Sequence, residues 1–249
     1  MYNKISNIKQ SGFSMSNYFF YALVPFIIGL YAQFKIRSAY NKYSSVRTQT
    51  GVTGSEAARR MLDDHGLTNV RIEQVRGTLS DHYDPGSKVL RLSEGVYSSN
   101  SIAAVGVACH EAGHAYQDAE QYKPLVLRRA MIPAVNIGSY LGPILFMIGL
   151  VMSGMYEHII YIAEIGLGIF ALTAIFALIT LPVEFDASNR AKAWLSNSAL
   201  LYKNEIDGVS EVLSAAALTY VSAAIQSIAN VLYYASILNS RNGRSRNRR

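Results

Sequence analysis

The sequence predicts a mainly α membrane protein with about four transmembrane helices and one small α+β domain. Three observations lead there. Half of the 249 residues are hydrophobic, but they gather into long uncharged runs instead of spreading evenly. Between the first and second runs lies a polar stretch of about ninety residues, enough for one small domain. The positive residues stand beside the apolar runs and in the C-terminal tail. That placement suits anionic lipid headgroups better than nucleic acid, since the tail's arginines lack the interleaved aromatics of a nucleic-acid surface. The net charge of +6 is therefore assigned to the membrane. A single cysteine, Cys109, excludes an internal disulfide and any Cys-x-x-Cys site.

The first run, residues 17–34 (NYFFYALVPFIIGLYAQF), is long enough to cross a bilayer, with Tyr18, Tyr21 and Tyr31 near its ends where interfacial aromatics sit. It has no Ala-x-Ala cleavage site. Lys35, Arg37, Lys42 and Arg47 follow it, so it reads as an anchor with the next segment in the cytoplasm.

Residues 41–130 carry the polar material. Thr53-Gly-Ser-Glu56 is a capping signature that opens a helix ending near Gly66, with His65 as a solvated or dipole-compensating residue at its end. Residues 70–75 (VRIEQV) alternate apolar and polar, as a half-buried strand does. Asp81-His82-Tyr83-Asp84-Pro85-Gly86 reads as a turn and residues 88–93 (KVLRLS) as a second strand. His82 and Tyr83 could each donate to a developing oxyanion, or simply belong to a turn held by Asp81 and Asp84.

Ser101 then caps an apolar, small-residue helix that runs into Cys109-His110-Glu111-Ala112-Gly113-His114. On a helix, His110 and His114 are one turn apart on the same face, where two imidazoles can hold a zinc ion. Glu111 points to one side, where a carboxylate can act as general base toward water. This makes the polar part a zincin-like catalytic domain. The motif gives two metal ligands and a base; a third ligand must come from elsewhere.

Three apolar runs follow. Residues 132–152 carry Gly138 and Gly142 at the spacing that lets helices approach closely, residues 158–181 return, and residues 214–238 form a weaker fourth run interrupted by Gln226, Asn230 and several serines. Four complete crossings would leave the basic tail, 241–249, outside, against the positive-inside preference, so the fourth run either spans fully or is re-entrant. The hairpin returns the chain near Leu181-Pro182 to the side of the histidines, and Pro182 can begin a helix that presents Glu184 and Ser188 on one face. Glu184 is thus the preferred third ligand. Glu164 is a rival farther along its span, while Glu205 and Glu211 read as solvated faces of a polar helix. Asp186 or Ser188 could accept from the free ring nitrogen of a bound histidine.

His110-Glu-Ala-Gly-His114, Leu181-Pro-Val-Glu-Phe-Asp-Ala-Ser188, Ser80-Asp-His-Tyr-Asp-Pro85 and Lys88-Val-Leu-Arg-Leu-Ser93 together resemble the bacterial neutral zinc metallopeptidase family of YugP-type membrane proteins. The resemblance runs from about Gly51 to the fourth apolar run. In the order of its elements the chain is also similar to the HtpX and CAAX-prenyl endopeptidase group, the gluzincins. The resemblance implies His110, His114 and Glu184 as ligands of one Zn2+ and Glu111 as base. In the HtpX-like pattern an aspartate follows the ligand glutamate by four; here that position is Ser188.

The expected function is a zinc-dependent endopeptidase of the cell membrane, cutting peptide bonds of membrane or unfolded proteins from the cytoplasmic face. The competing expectation is an inactive zinc-binding membrane scaffold or assembly factor. The expected partners are a peptide or membrane-protein substrate and the lipid bilayer, with no nucleic acid. The chain divides, on this reading, into an anchor (1–40), a catalytic α+β part with the His-Glu-x-x-His helix (41–130), a transmembrane hairpin (131–182), a helix with the third ligand (183–213), and a last span with the basic tail (214–249).

Overall fold

The computed structural model describes the backbone of residues 13–246 and, within it, the side chains of 19–156 and 158–241; the end of the basic tail lies outside the described residues. The elements in order are α1 (Phe13–Ser44), α2 (Gly54–Asp64), β1 (Arg71–Val75), β2 (His82–Asp84), β3 (Val89–Ser93), α3 (Glu94–Tyr97), α4 (Ile102–Ala119), α5 (Lys123–Met152), α6 (Ile160–Asn197) and α7 (Lys203–Arg246), with a 3-10 turn at Glu157–Ile159. Among the described residues, four helices are long and apolar enough to cross a membrane: Phe19–Ser44, Lys123–Met152, Ile160–Asn197 and Lys203–Arg241. The protein is a mainly α membrane protein with a small α+β part. Two compact units divide it, one of residues 1–31, 130–178 and 221–249, the other of 32–129 and 179–220.

In the first unit, α5 and α6 form the hairpin that the apolar runs predict. Gly142 and Gly149 permit their close approach. A Cβ at Gly142 would stand 2.9 Å from the Phe170 backbone nitrogen, and one at Gly149 only 2.2 Å from that of Ala163. Phe146, almost fully buried, stacks on Tyr234 of α7 at 4.6 Å. The outward side chains Ile137, Tyr140, Ile144, Met147 and Val151 are exposed, as lipid-facing residues of a span must be.

In the second unit, the sheet has the order β1-β3-β2, with β1 parallel to β3 and β2 antiparallel to it. The central β3 is buried at Val89, Leu90 and Leu92, and Leu90 and Leu92 pack with Met61 and Leu62 of α2, Val96 of α3, Val105 of α4, Leu195 of α6 and Val209 of α7. Thr53 and Glu56 complete the capping box on α2, and the Ser101 side chain accepts from the Ala104 N–H at the start of α4. Small residues make α4 a central helix: Ala103, Ala104, Ala108, Ala112 and Ala115 are buried on it.

Three local expectations change. The stretch expected to be a turn contains a strand, β2, and the turn proper comes after it, where the Asp84 carboxylate accepts from Gly86 N and Ser87 Oγ. Pro182 lies inside α6 and opens no new helix: it lacks the N–H that would bond back to the Leu178 carbonyl, a loss that long apolar helices tolerate, and the chain breaks instead at 198–202. Glu205 is not a solvated face. It is buried, and its carboxylate accepts from the backbone N–H groups of Gln49 and Tyr202.

Candidate metal centre

The centre is built by α4 and α6, which touch closely because of Gly113. A Cβ there would stand 2.7 Å from the Ala187 carbonyl oxygen, so only glycine lets the two backbones meet. That contact, one residue before His114 and three after Glu184, fixes which side chains face each other. His110 Nε2 lies 3.3 Å and His114 Nε2 3.5 Å from Glu184 Oε2. The two imidazoles meet edge to face at 4.8 Å.

The outer hydrogen bonds orient the two histidines. Gln117 Nε2 donates to the Val183 carbonyl and to Asp186 Oδ2, both at 2.8 Å, which fixes the amide's orientation. Its Oε1 therefore faces His114 Nδ1 at 2.9 Å, so that nitrogen carries a proton, and in the neutral ring Nε2 is left as a bare lone pair. His110 Nδ1 pairs with the Ser188 hydroxyl at 3.0 Å, a group able to accept from it or donate to it. Asp186 is in turn held by Arg190 Nε at 2.6 Å, and Arg190 also reaches Glu120 at 2.8 Å.

With both rings neutral, the result is an arrangement of acceptors without a donor. Two ring nitrogens and a carboxylate oxygen converge, and Glu184 Oε2 is buried with no hydrogen bond. Such a set is costly unless a cation sits among it. Its size fits zinc: donors about 2.1 Å from an ion and a tetrahedral angle apart are separated by about 3.4 Å, close to both contacts given above. Among the described residues, His110, His114 and Glu184 are the one such group, and it comprises three donors.

Glu111 is not one of the three. It is partly buried beside them, and loss of water pushes its carboxyl above the usual range. The Cys109 thiol, fully buried one residue earlier, is pushed up for the same reason and is an inert packing residue.

The remaining sequence candidates are engaged elsewhere. Tyr83 donates to Asp118 Oδ2 at 3.0 Å, and exposed His82 has its Nδ1 2.8 Å from the Ser80 carbonyl and its Nε2 toward Arg91. Glu164 is exposed in the first unit, and Glu211 pairs with Lys42 and Tyr43. Three residues that the sequence did not announce stand beside the trio: Gln117, Arg128, which donates to Glu184 Oε1 at 3.1 Å, and Tyr220, whose hydroxyl faces Glu184. Only Gln117 left a signal, its helical spacing of three from His114, and a glutamine on a helix is too common to be read that way.

The family model described as "Putative neutral zinc metallopeptidase" matches residues 18–239, nearly the whole chain. The chain belongs to this family. A relative from Bacillus subtilis (strain 168), named "Putative membrane protease YugP", is 47% identical over 232 residues, which cover 92% of this chain and 99% of the relative. No solved structure matches. As a member of the neutral zinc metallopeptidase family, the chain takes zinc as its cofactor, and the three-donor group suits that ion. A zinc protease with membrane helices is accordingly the class to which it is assigned.

Proposed function

We propose that the chain is a membrane-embedded zinc endopeptidase of the gluzincin type. His110, His114 and Glu184 hold the metal, and Glu111 is the general base. The observation that carries this reading is the convergence of two Nε2 lone pairs and the unpartnered Glu184 Oε2. A group of three protein donors, not four, favours a catalytic centre over a closed structural one and so over the scaffold alternative.

Zinc, when held there, would supply Lewis acidity that lowers the pKa of water toward about 7. The chain's own residues do the rest. Glu111, its proton affinity raised by burial, takes a proton from the attacking water on a carboxylate oxygen and hands it to the leaving amine nitrogen. Gln117 holds the neutral His114 ring in the tautomer that leaves Nε2 free, and Ser188 orients the His110 ring. Tyr220, whose hydroxyl bonds to Glu184 beside the trio, is the donor proposed for the carbonyl oxygen as charge develops on it.

The substrates are loops or unfolded tails of membrane proteins. Lys35, Arg37, Lys42 and Arg47 after the first span put the catalytic residues on the cytoplasmic face. The deciding experiment is Glu111→Gln in the full chain in detergent. Zinc content is expected to stay at wild type while turnover of an unfolded protein such as casein falls about 10²–10⁴-fold. Unchanged turnover would remove Glu111 from the chemistry; absence of turnover in the wild type would revive the scaffold.

A further inference from the structure

The two oxygens of Glu184 have different surroundings. Oε2 faces the histidines and accepts no hydrogen bond, while Oε1 accepts from Arg128 Nη1 at 3.1 Å. Arg128 comes from α5, 56 residues away in sequence, and its contact with a carboxylate only 4% exposed is a partly buried ion pair. The next residue, Arg129, points about 100° further around the helix and donates to Asp118 Oδ1 at 2.8 Å. Asp118, 2% exposed, also accepts from Tyr83 and from Lys88. Consecutive arginines at the start of α5 thus grip two carboxylates, one on α6 and one on α4. The Asp118 grip is fully partnered, which fixes the backbone from which Arg128 reaches.

A carboxylate can bind a metal through one oxygen or through both. A guanidinium on one oxygen leaves the other alone to face the ion. We infer that Arg128 is a positioning residue that makes Glu184 a one-oxygen ligand, so that two imidazoles and a single oxygen leave a coordination position open for water and substrate. The inference rests on Glu184 being a ligand. Lysine at this position could supply one donor and the charge but not the planar fork; an apolar residue could supply neither.

The test uses the full chain in detergent with cobalt(II) in place of zinc, because cobalt's visible bands report coordination number. The wild type is expected to give the intense bands of a four-coordinate ion. Arg128→Met should let Oε1 join, and the bands should weaken several-fold toward a five-coordinate pattern, while Arg128→Lys should retain the wild-type spectrum. Zinc affinity of the Met variant is expected to fall about 10–100-fold. Arg128→Leu serves as a second neutral variant should Met impair folding, which thermal melts of the metal-free proteins report. A wild-type cobalt spectrum in a folded Met or Leu variant overturns the inference. So does a folded variant that binds no cobalt, since the arginine would then create the site and not select its denticity. Glu184→Ala separates the two layers: if it keeps the wild-type cobalt spectrum, the ligand reading itself fails.

Discussion

His114 owes its bare Nε2 to a glutamine three residues on. Gln117 is fully buried and spends its amide hydrogens on Val183 and Asp186, so its oxygen has only the His114 N–H to accept. Gln117→Ala is therefore expected to weaken zinc binding about 10–100-fold, measured by chelator competition, without touching a ligand. Tyr220→Phe should do the reverse: zinc affinity near wild type and kcat on casein lower by roughly 10²-fold, the cost of losing one donor to a developing oxyanion. Equal losses of affinity and kcat in this variant would instead make Tyr220 a support for Glu184. The meeting of His110 and His114 was legible at this scale, because a helix turns the spacing of four into a common face whatever the rest of the chain does. Gln117, Arg128 and Tyr220 were not, since each acts through a contact with a residue on another element or through an amide orientation that a distant partner fixes.

Between α4 and α6 everything depends on one missing methyl group. Gly113→Ala places a Cβ 2.7 Å from the Ala187 carbonyl oxygen, a backbone atom that cannot swing aside. The helices must part, at a cost of about 1–3 kcal/mol, and Glu184 and Ser188 move with α6. A lower melting temperature together with zinc loss is expected; a variant with wild-type values of both would mean the contact is not what sets the spacing. The capping box of α2 gives a pH-dependent prediction. Glu56 Oε2 accepts from the Thr53 backbone N–H and hydroxyl, which holds its carboxyl below the usual range. A depressed carboxyl contributes stability that is present above its unfolded pKa, about 4.3, and lost as pH falls through the folded value. Glu56→Gln should therefore lower the melting temperature at neutral pH, with the two melts converging in acid. Such caps, the strands 71–75 and 89–93, and the long spans could be read from sequence because they are local patterns. Strand β2 could not: three residues long, it exists only because β3 offers an edge to pair with.

The orientation of the whole chain is open to a labelling experiment that the sequence makes convenient. Cys109, the one native cysteine, is fully buried, so a new cysteine can be read against a silent background. The proposed cytoplasmic centre puts the turn between α5 and α6 on the other side, and Ser153→Cys is expected to react with a membrane-impermeant maleimide in intact cells. Protection until lysis would invert the topology. At this scale hydropathy and residue spacing already gave four candidate spans, a polar stretch between the first two, and a helix that sets His110 and His114 on one face, because hydropathy and helical spacing are properties of neighbours in the chain. The tertiary structure decided what closes the centre. Glu184 lies 70 residues beyond His114 and joins it in the unit of residues 32–129 and 179–220. The hairpin already made Glu184 the preferred candidate; what the sequence lacked was that Gly113 lets α6 lie against α4, that Arg128 takes one carboxylate oxygen, and that Glu205 is consumed by backbone N–H groups. Those are matters of which surfaces meet, and a linear pattern of residue types carries no distance across a fold.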